Sequence, residues 1–152
     1  MDHTLQHPLG LMHLVVALLA IVAGMLVVMS RKGTPKHRFL GRVYVCMMIA
    51  VNLSALLVYE LFGGFGPFHW LALFSLVTVL FGYLPARFRG PGWKVRHAYF
   101  MSGSYVGVIA ALAAEVLTRT PWLTFSGAVV AASVAVTLSG LLLMFRFIPR
   151  LL

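Results

Sequence analysis

The stretch Leu9–Ser30, LGLMHLVVALLAIVAGMLVVMS, holds twenty-two residues without one Asp, Glu, Lys or Arg. At about 1.5 Å of rise per residue, a helix of that length spans a hydrocarbon core of about 30 Å. Its apolar residues do not alternate with polar ones, as a barrel strand would require. A helix is therefore the form in which this stretch satisfies its own backbone in lipid. Four further runs repeat the pattern, at Leu40–Phe62, Phe68–Phe88, His97–Leu117 and Leu123–Phe147. Gly33 and Pro35, the Gly63–Pro67 turn, Gly90-Pro91-Gly92 and Pro121 separate them. Pro35 and Pro67 stand where a first helical residue is expected, so both helices begin slightly before their apolar runs. The expected fold is all-α: a polytopic bundle of five transmembrane helices forming a single transmembrane domain over residues 1–152.

Composition agrees. Of the 152 residues, 61% are hydrophobic and 10% charged, where a soluble domain carries about 25% charged residues. The net charge of +9 does not form a basic face interleaved with aromatics, so nucleic acid is not the expected partner. It sits in the connections instead. Arg31, Lys32, Lys36, Arg38 and Arg42 fall around the first, and Arg87, Arg89, Lys94 and Arg96 around the third. Arg146 and Arg150 fall at the C-terminal end, which leaves Arg119 alone on the other side. The positive-inside rule then places the N-terminus outside and the C-terminus inside, in the cytoplasmic membrane of a bacterium. Met1–Pro8 carries no Lys or Arg, which favours an uncleaved first span over a signal peptide. Cys46, the only cysteine, cannot form an intrachain disulfide.

Ionisable groups at membrane depth are costly and are candidates for function. His13 and His69 enter from the outer side, and His37 and His97 stand at the inner entrances of the second and fourth spans. As two facing pairs they suit bis-histidine ligation of b-type haem, one site per leaflet, which would make a transmembrane electron path. A second grouping, His13, Glu60, His69 and Glu115, converges on the outer side. It offers imidazole and carboxylate ligands for zinc or another divalent ion at the mouth between spans 1–4. Glu115 also precedes Arg119 by four residues, a helical ion-pair spacing. His3 and His7 share a helical face if their segment is helical, and His3 in third position suits Cu(II). Asn52, Ser54, Ser75 and Thr78 are the mid-membrane polar groups. No HExxH, GxSxG, P-loop, CxxC or SxxK motif names a reaction.

Spans 4 and 5 are rich in small residues, among them Gly103, Ser104, Gly107, Ala131, Ala135 and Gly140. In lipid such residues allow close helix approach, so these faces are also candidates for a homo-oligomer or a partner membrane subunit. Trp70, Trp93 and Trp122 fall near the expected interfaces, where aromatics anchor helices. A basic loop followed by His37 and Tyr44, and again by His97 and Tyr105, gives a faint internal echo with offsets one residue apart.

At His37-Arg38-Phe39-Leu40-Gly41-Arg42-Val43-Tyr44 the chain resembles the bacterial and fungal membrane proteins grouped as domain of unknown function 2306. Gly63–Trp70 and His97–Tyr105, with Glu115 beyond, are similar to two further segments of that family. The resemblance runs from span 1 to the end of span 4 and implies a multi-span topology without an assigned activity. The HRxxG element also resembles helix entrances of cytochrome b561-type and ferric-reductase-type haem proteins, which implies histidine ligands on matched helices. A non-catalytic scaffold or assembly subunit is the remaining reading.

Overall fold

A computed structural model describes residues 8–57, 64–121 and 124–150. Its described residues form five helices: α1 (Pro8–Met29), α2 (Pro35–Leu57), α3 (Pro67–Phe88), α4 (Trp93–Leu117) and α5 (Phe125–Phe147). A short 3-10 turn follows at Ile148–Arg150. All five helices are long and apolar enough to cross a membrane. Pro35 and Pro67 open α2 and α3 as their fixed φ predicts. Two helices start earlier than the apolar runs suggest, α2 by five residues and α4 by four. Their first turns are basic, so hydropathy alone misses them.

Contacts divide the chain into two compact units, Met1–Val79 and Leu80–Leu152. In the first, α1 and α2 form an antiparallel hairpin. Gly33, at a φ of +77°, makes the reversal between them, a backbone conformation that costs other residues strain. The buried positions of α1 are small (Ala20, Ala23 and Gly24), while α2 buries Tyr44, Met48 and Val51. Small against large lets the two helices approach closely, and in lipid such packing is what holds helices together. Two further polar contacts trim the turn. Thr34 Oγ1 accepts from the His37 N–H at 3.2 Å, capping α2. Lys32 Nζ donates to Val27 O and Val28 O at the end of α1, and burial pulls its pKa below the usual lysine range.

In the second unit, α4 packs along α5. Ala110 and Ala114 are buried on α4, with Ala128, Ala132 and Gly140 on α5. A Cβ on Gly140 would lie 2.5 Å from both γ-methyls of Val106, so the two backbones approach as closely as glycine permits. Many of the small residues seen in the sequence are thus used inside this unit, whereas Ala131, Ala135 and Ser139 face outward. Thr124 caps α5 by accepting from Gly127 N at 3.2 Å. Thr124→Ala is expected to cost about 1 kcal/mol, read as a lower midpoint in reversible unfolding from detergent micelles.

Candidate functional site

The α1–α2 hairpin carries a histidine–serine pair at each end. His13 on α1 meets Ser54 on α2 at 2.8 Å, and Ser30, just past α1, meets His37 on α2 at 3.1 Å, each through Nδ1. The residue numbers sum to 67 in both pairs, which is the register of one antiparallel hairpin. Seventeen residues separate the pairs along either strand of it, about 26 Å at helical rise. They therefore stand near opposite ends of a membrane-length hairpin.

The hydrogen in each pair has a determinable place. Ser54 Oγ donates to Val51 O at 2.9 Å, and Ser30 Oγ donates to Val27 O at 2.8 Å. A hydroxyl has one hydrogen. With that hydrogen on the carbonyl, the serine oxygen accepts and the histidine donates from Nδ1; the opposite tautomer requires the hydroxyl to leave its carbonyl. His97 on α4 reaches the same state by a shorter route. Its Nδ1 lies 2.9 Å from Gly82 O on α3, and a carbonyl can only accept. His97 in its neutral form thus carries the ring hydrogen on Nδ1 and the lone pair on Nε2, and the serine-to-carbonyl bonds favour the same tautomer at His13 and His37.

His69 is the reverse. Its Nδ1 accepts the Gly66 N–H at 3.0 Å, so its neutral ring carries the hydrogen on Nε2. The contrast has a local cause. Thr34-Pro35-Lys36-His37 and Gly66-Pro67-Phe68-His69 are the same arrangement of cap, proline and histidine in the third helical position. Where the cap is Thr34, its hydroxyl takes the helix N–H and His37 is released to reach Ser30. Where the cap is Gly66, there is no side chain, and His69 itself folds back on the cap N–H. The His69 ring is buried and stacks on Phe65 at 4.8 Å between centroids.

At Gly82, α3 and α4 also come close. A Cβ there would stand 2.7 Å from Met101 Sδ and 3.0 Å from the Met101 backbone nitrogen. Pro85 lies inside α3 one turn on. Its missing N–H removes one intrahelical bond and loosens the ladder here, beside the carbonyl that His97 takes. Trp93 flanks His97 at 6.3 Å between ring centroids.

The other expected residues are placed differently. Glu115 pairs with Arg119 at the exposed end of α4, as their spacing predicts. Glu60, His3, His7 and Trp122 lie outside the described residues. Among the described residues, no three His, Cys, Asp or Glu side chains gather as metal ligands would. Asn52 Nδ2 donates to Met48 O, and Thr78 Oγ1 donates to Phe74 O. These polar groups are satisfied within their own helices. Sequence reasoning singled out all four histidines but missed Ser30 and Gly82 as their partners, and noted Ser54 only for its depth.

A family model described as "Predicted membrane protein (DUF2306)" matches residues 10–151. The chain belongs to this family. A search of curated proteins and of solved structures finds no match, and nothing in the comparisons bears on the cytochrome b561-type resemblance. Within the DUF2306 match fall all four described histidines and their four serine or glycine partners, Ser54, Ser30, Gly82 and Gly66. His37, His69 and His97 each mark the first turns of a helix.

Proposed function

We propose that this DUF2306 protein is a small redox-active protein of the cytoplasmic membrane that binds b-type haem through histidine Nε2 atoms. The observation that carries the reading is that His13, His37 and His97 each set Nδ1 against an oxygen of a neighbouring segment. Donating its Nδ1–H to that oxygen, each holds Nε2 as the basic nitrogen. Histidines that ligate metals almost always donate the other ring N–H to such a partner, which orients the ring and raises its basicity. The two pairs of the α1–α2 hairpin stand far enough apart to serve opposite leaflets, with the N-terminus outside and the basic connections inside. Bound haem would supply one-electron chemistry, and the chain's part is to orient Nε2 and exclude water.

The reading narrows the ligand set. For His69 to ligate through Nε2, its Nδ1 would have to give up the Gly66 N–H, so we assign it to helix capping. A zinc-like site at His13, Glu60, His69 and Glu115 has less support, because His69 and Glu115 are engaged elsewhere. The non-catalytic scaffold reading draws on the same bonds, since each also ties two helix segments together. One sample separates the three: protein purified in detergent from a haem-replete host, measured for its visible spectrum and metal content. A Soret band that shifts on reduction is the expected result. Stoichiometric zinc without haem would support the metal site, and a colourless, metal-free preparation would leave the scaffold.

A further inference from the structure

Arg42 stands on the outward face of α2 with Phe39, Cys46, Leu53 and Leu57, and all five are exposed. It is charged where those four neighbours are apolar. The hairpin register sets Arg42 level with Met25, inside the apolar run of α1, and Arg38 level with Met29, the last residue of α1. A guanidinium at Arg42's depth is expensive in hydrocarbon unless its long stem carries it back to the interface. The side chain does turn that way. Arg42 Nε lies 3.4 Å from Arg38 O, one turn nearer the start of the helix. Its head therefore reaches the level of Arg38, which is also exposed.

Among the described residues the one acidic side chain, Glu115, is paired with Arg119. No Asp or Glu occurs between Asp2 and Glu60, while Arg31, Lys36, Arg38 and Arg42 crowd into twelve residues. Of these, Arg38 and Arg42 share a helix face, and a guanidinium fork matches phosphate oxygens in a way that an ammonium does not. Topology requires a positive bias on one side. It does not require an arginine one turn below the interface on a lipid-facing surface.

We propose that Arg38 and Arg42 form a binding site for the phosphate of an anionic phospholipid headgroup, with Arg31 and Lys36 adding to its field. The acyl chains would lie along Phe39 and Cys46. This inference is independent of any cofactor. Native mass spectrometry on the purified full chain, with phosphatidylglycerol against phosphatidylcholine added to the micelle, tests it. Wild type is expected to retain phosphatidylglycerol preferentially. Neutralising one arginine should weaken that preference by about fivefold, and R38Q/R42Q by more than tenfold. R38K/R42K, which keeps charge and fold, should recover only part of it. K94Q/R96Q should keep it, and so should wild type in millimolar inorganic phosphate. Loss of the preference in K94Q/R96Q would overturn the site in favour of diffuse attraction. Displacement by free phosphate would overturn a lipid as the ligand. An undiminished preference in R38Q/R42Q would overturn both.

Discussion

Gly82→Val is expected to destabilise the protein by about 3 kcal/mol, the larger part from overpacking and the rest from one lost hydrogen bond. The first methyl at position 82 would press on Met101 Sδ, which can move, and on the Met101 backbone nitrogen, which can move only with α4. As α4 retreats, His97 Nδ1 is carried away from Gly82 O, now at 2.9 Å. The membrane gives no hydrophobic compensation, since valine in lipid is as well solvated as valine in the bundle. Gly107→Ala is the control, because nothing lies within 4 Å of the Cβ it would add. Reversible unfolding in mixed micelles measures both variants. A Gly82→Val midpoint equal to that of Gly107→Ala would show that the close approach of α3 and α4 does not exist in the folded protein.

That contact marks the boundary of what the sequence discloses. The five helices are legible because a membrane imposes length and polarity on each run independently, so local reading suffices. Pro35 and Pro67 mark helix starts for the same reason, since proline's fixed φ acts locally. The starts of α2 and α4 are harder. Charged first turns such as Lys36-His37-Arg38 and Lys94-Val95-Arg96 resemble loop by hydropathy, although cap residues Thr34 and Gly92 precede both helices. Gly82 could not be read at all. A glycine within an apolar run is ordinary, and only the neighbouring helix gives it meaning.

The histidines show the same division at finer scale. Their positions and depth are written in the chain, and their chemistry is not. His37 and His69 occupy identical places after proline, yet His69 Nδ1 accepts from its own cap while His37 Nδ1 turns to Ser30. One difference was open to view: Thr34 has a hydroxyl to cap its helix and Gly66 has none. That alone predicts that His69 must do the capping. The partners of His13 and His37 were hidden, because Ser54 and Ser30 are forty-one and seven residues away and meet them only through the hairpin register. Glu115 lay in a metal grouping and in an ion-pair spacing at once. Its exposed pairing with Arg119 supports the local reading of that residue.

If the protein binds haem as proposed, Ser54→Ala is expected to weaken that binding at His13 by about ten- to a hundredfold, and His13→Ala to abolish it there. The serine gives no atom to iron. With its own hydrogen on Val51 O it accepts the Nδ1–H of His13, which on this reading fixes which nitrogen carries the lone pair. Without it the ring is free to turn and to exchange tautomers, and both cost affinity. The same change at the other end, Ser30→Ala, should act on His37 and leave His13 untouched, because about 26 Å of helix separates them. Nitrogen-15 spectra of histidine-labelled protein read this directly, even without cofactor. His13, His37 and His97 should show hydrogen on Nδ1 and His69 on Nε2, with each serine variant disturbing only its own partner. If all four rings share one tautomer, the serines do not set it and the ligand assignment fails with them. If the tautomers divide as stated and no preparation binds haem, the His–Ser pairs remain as helix pins, and it is the redox function that must be abandoned.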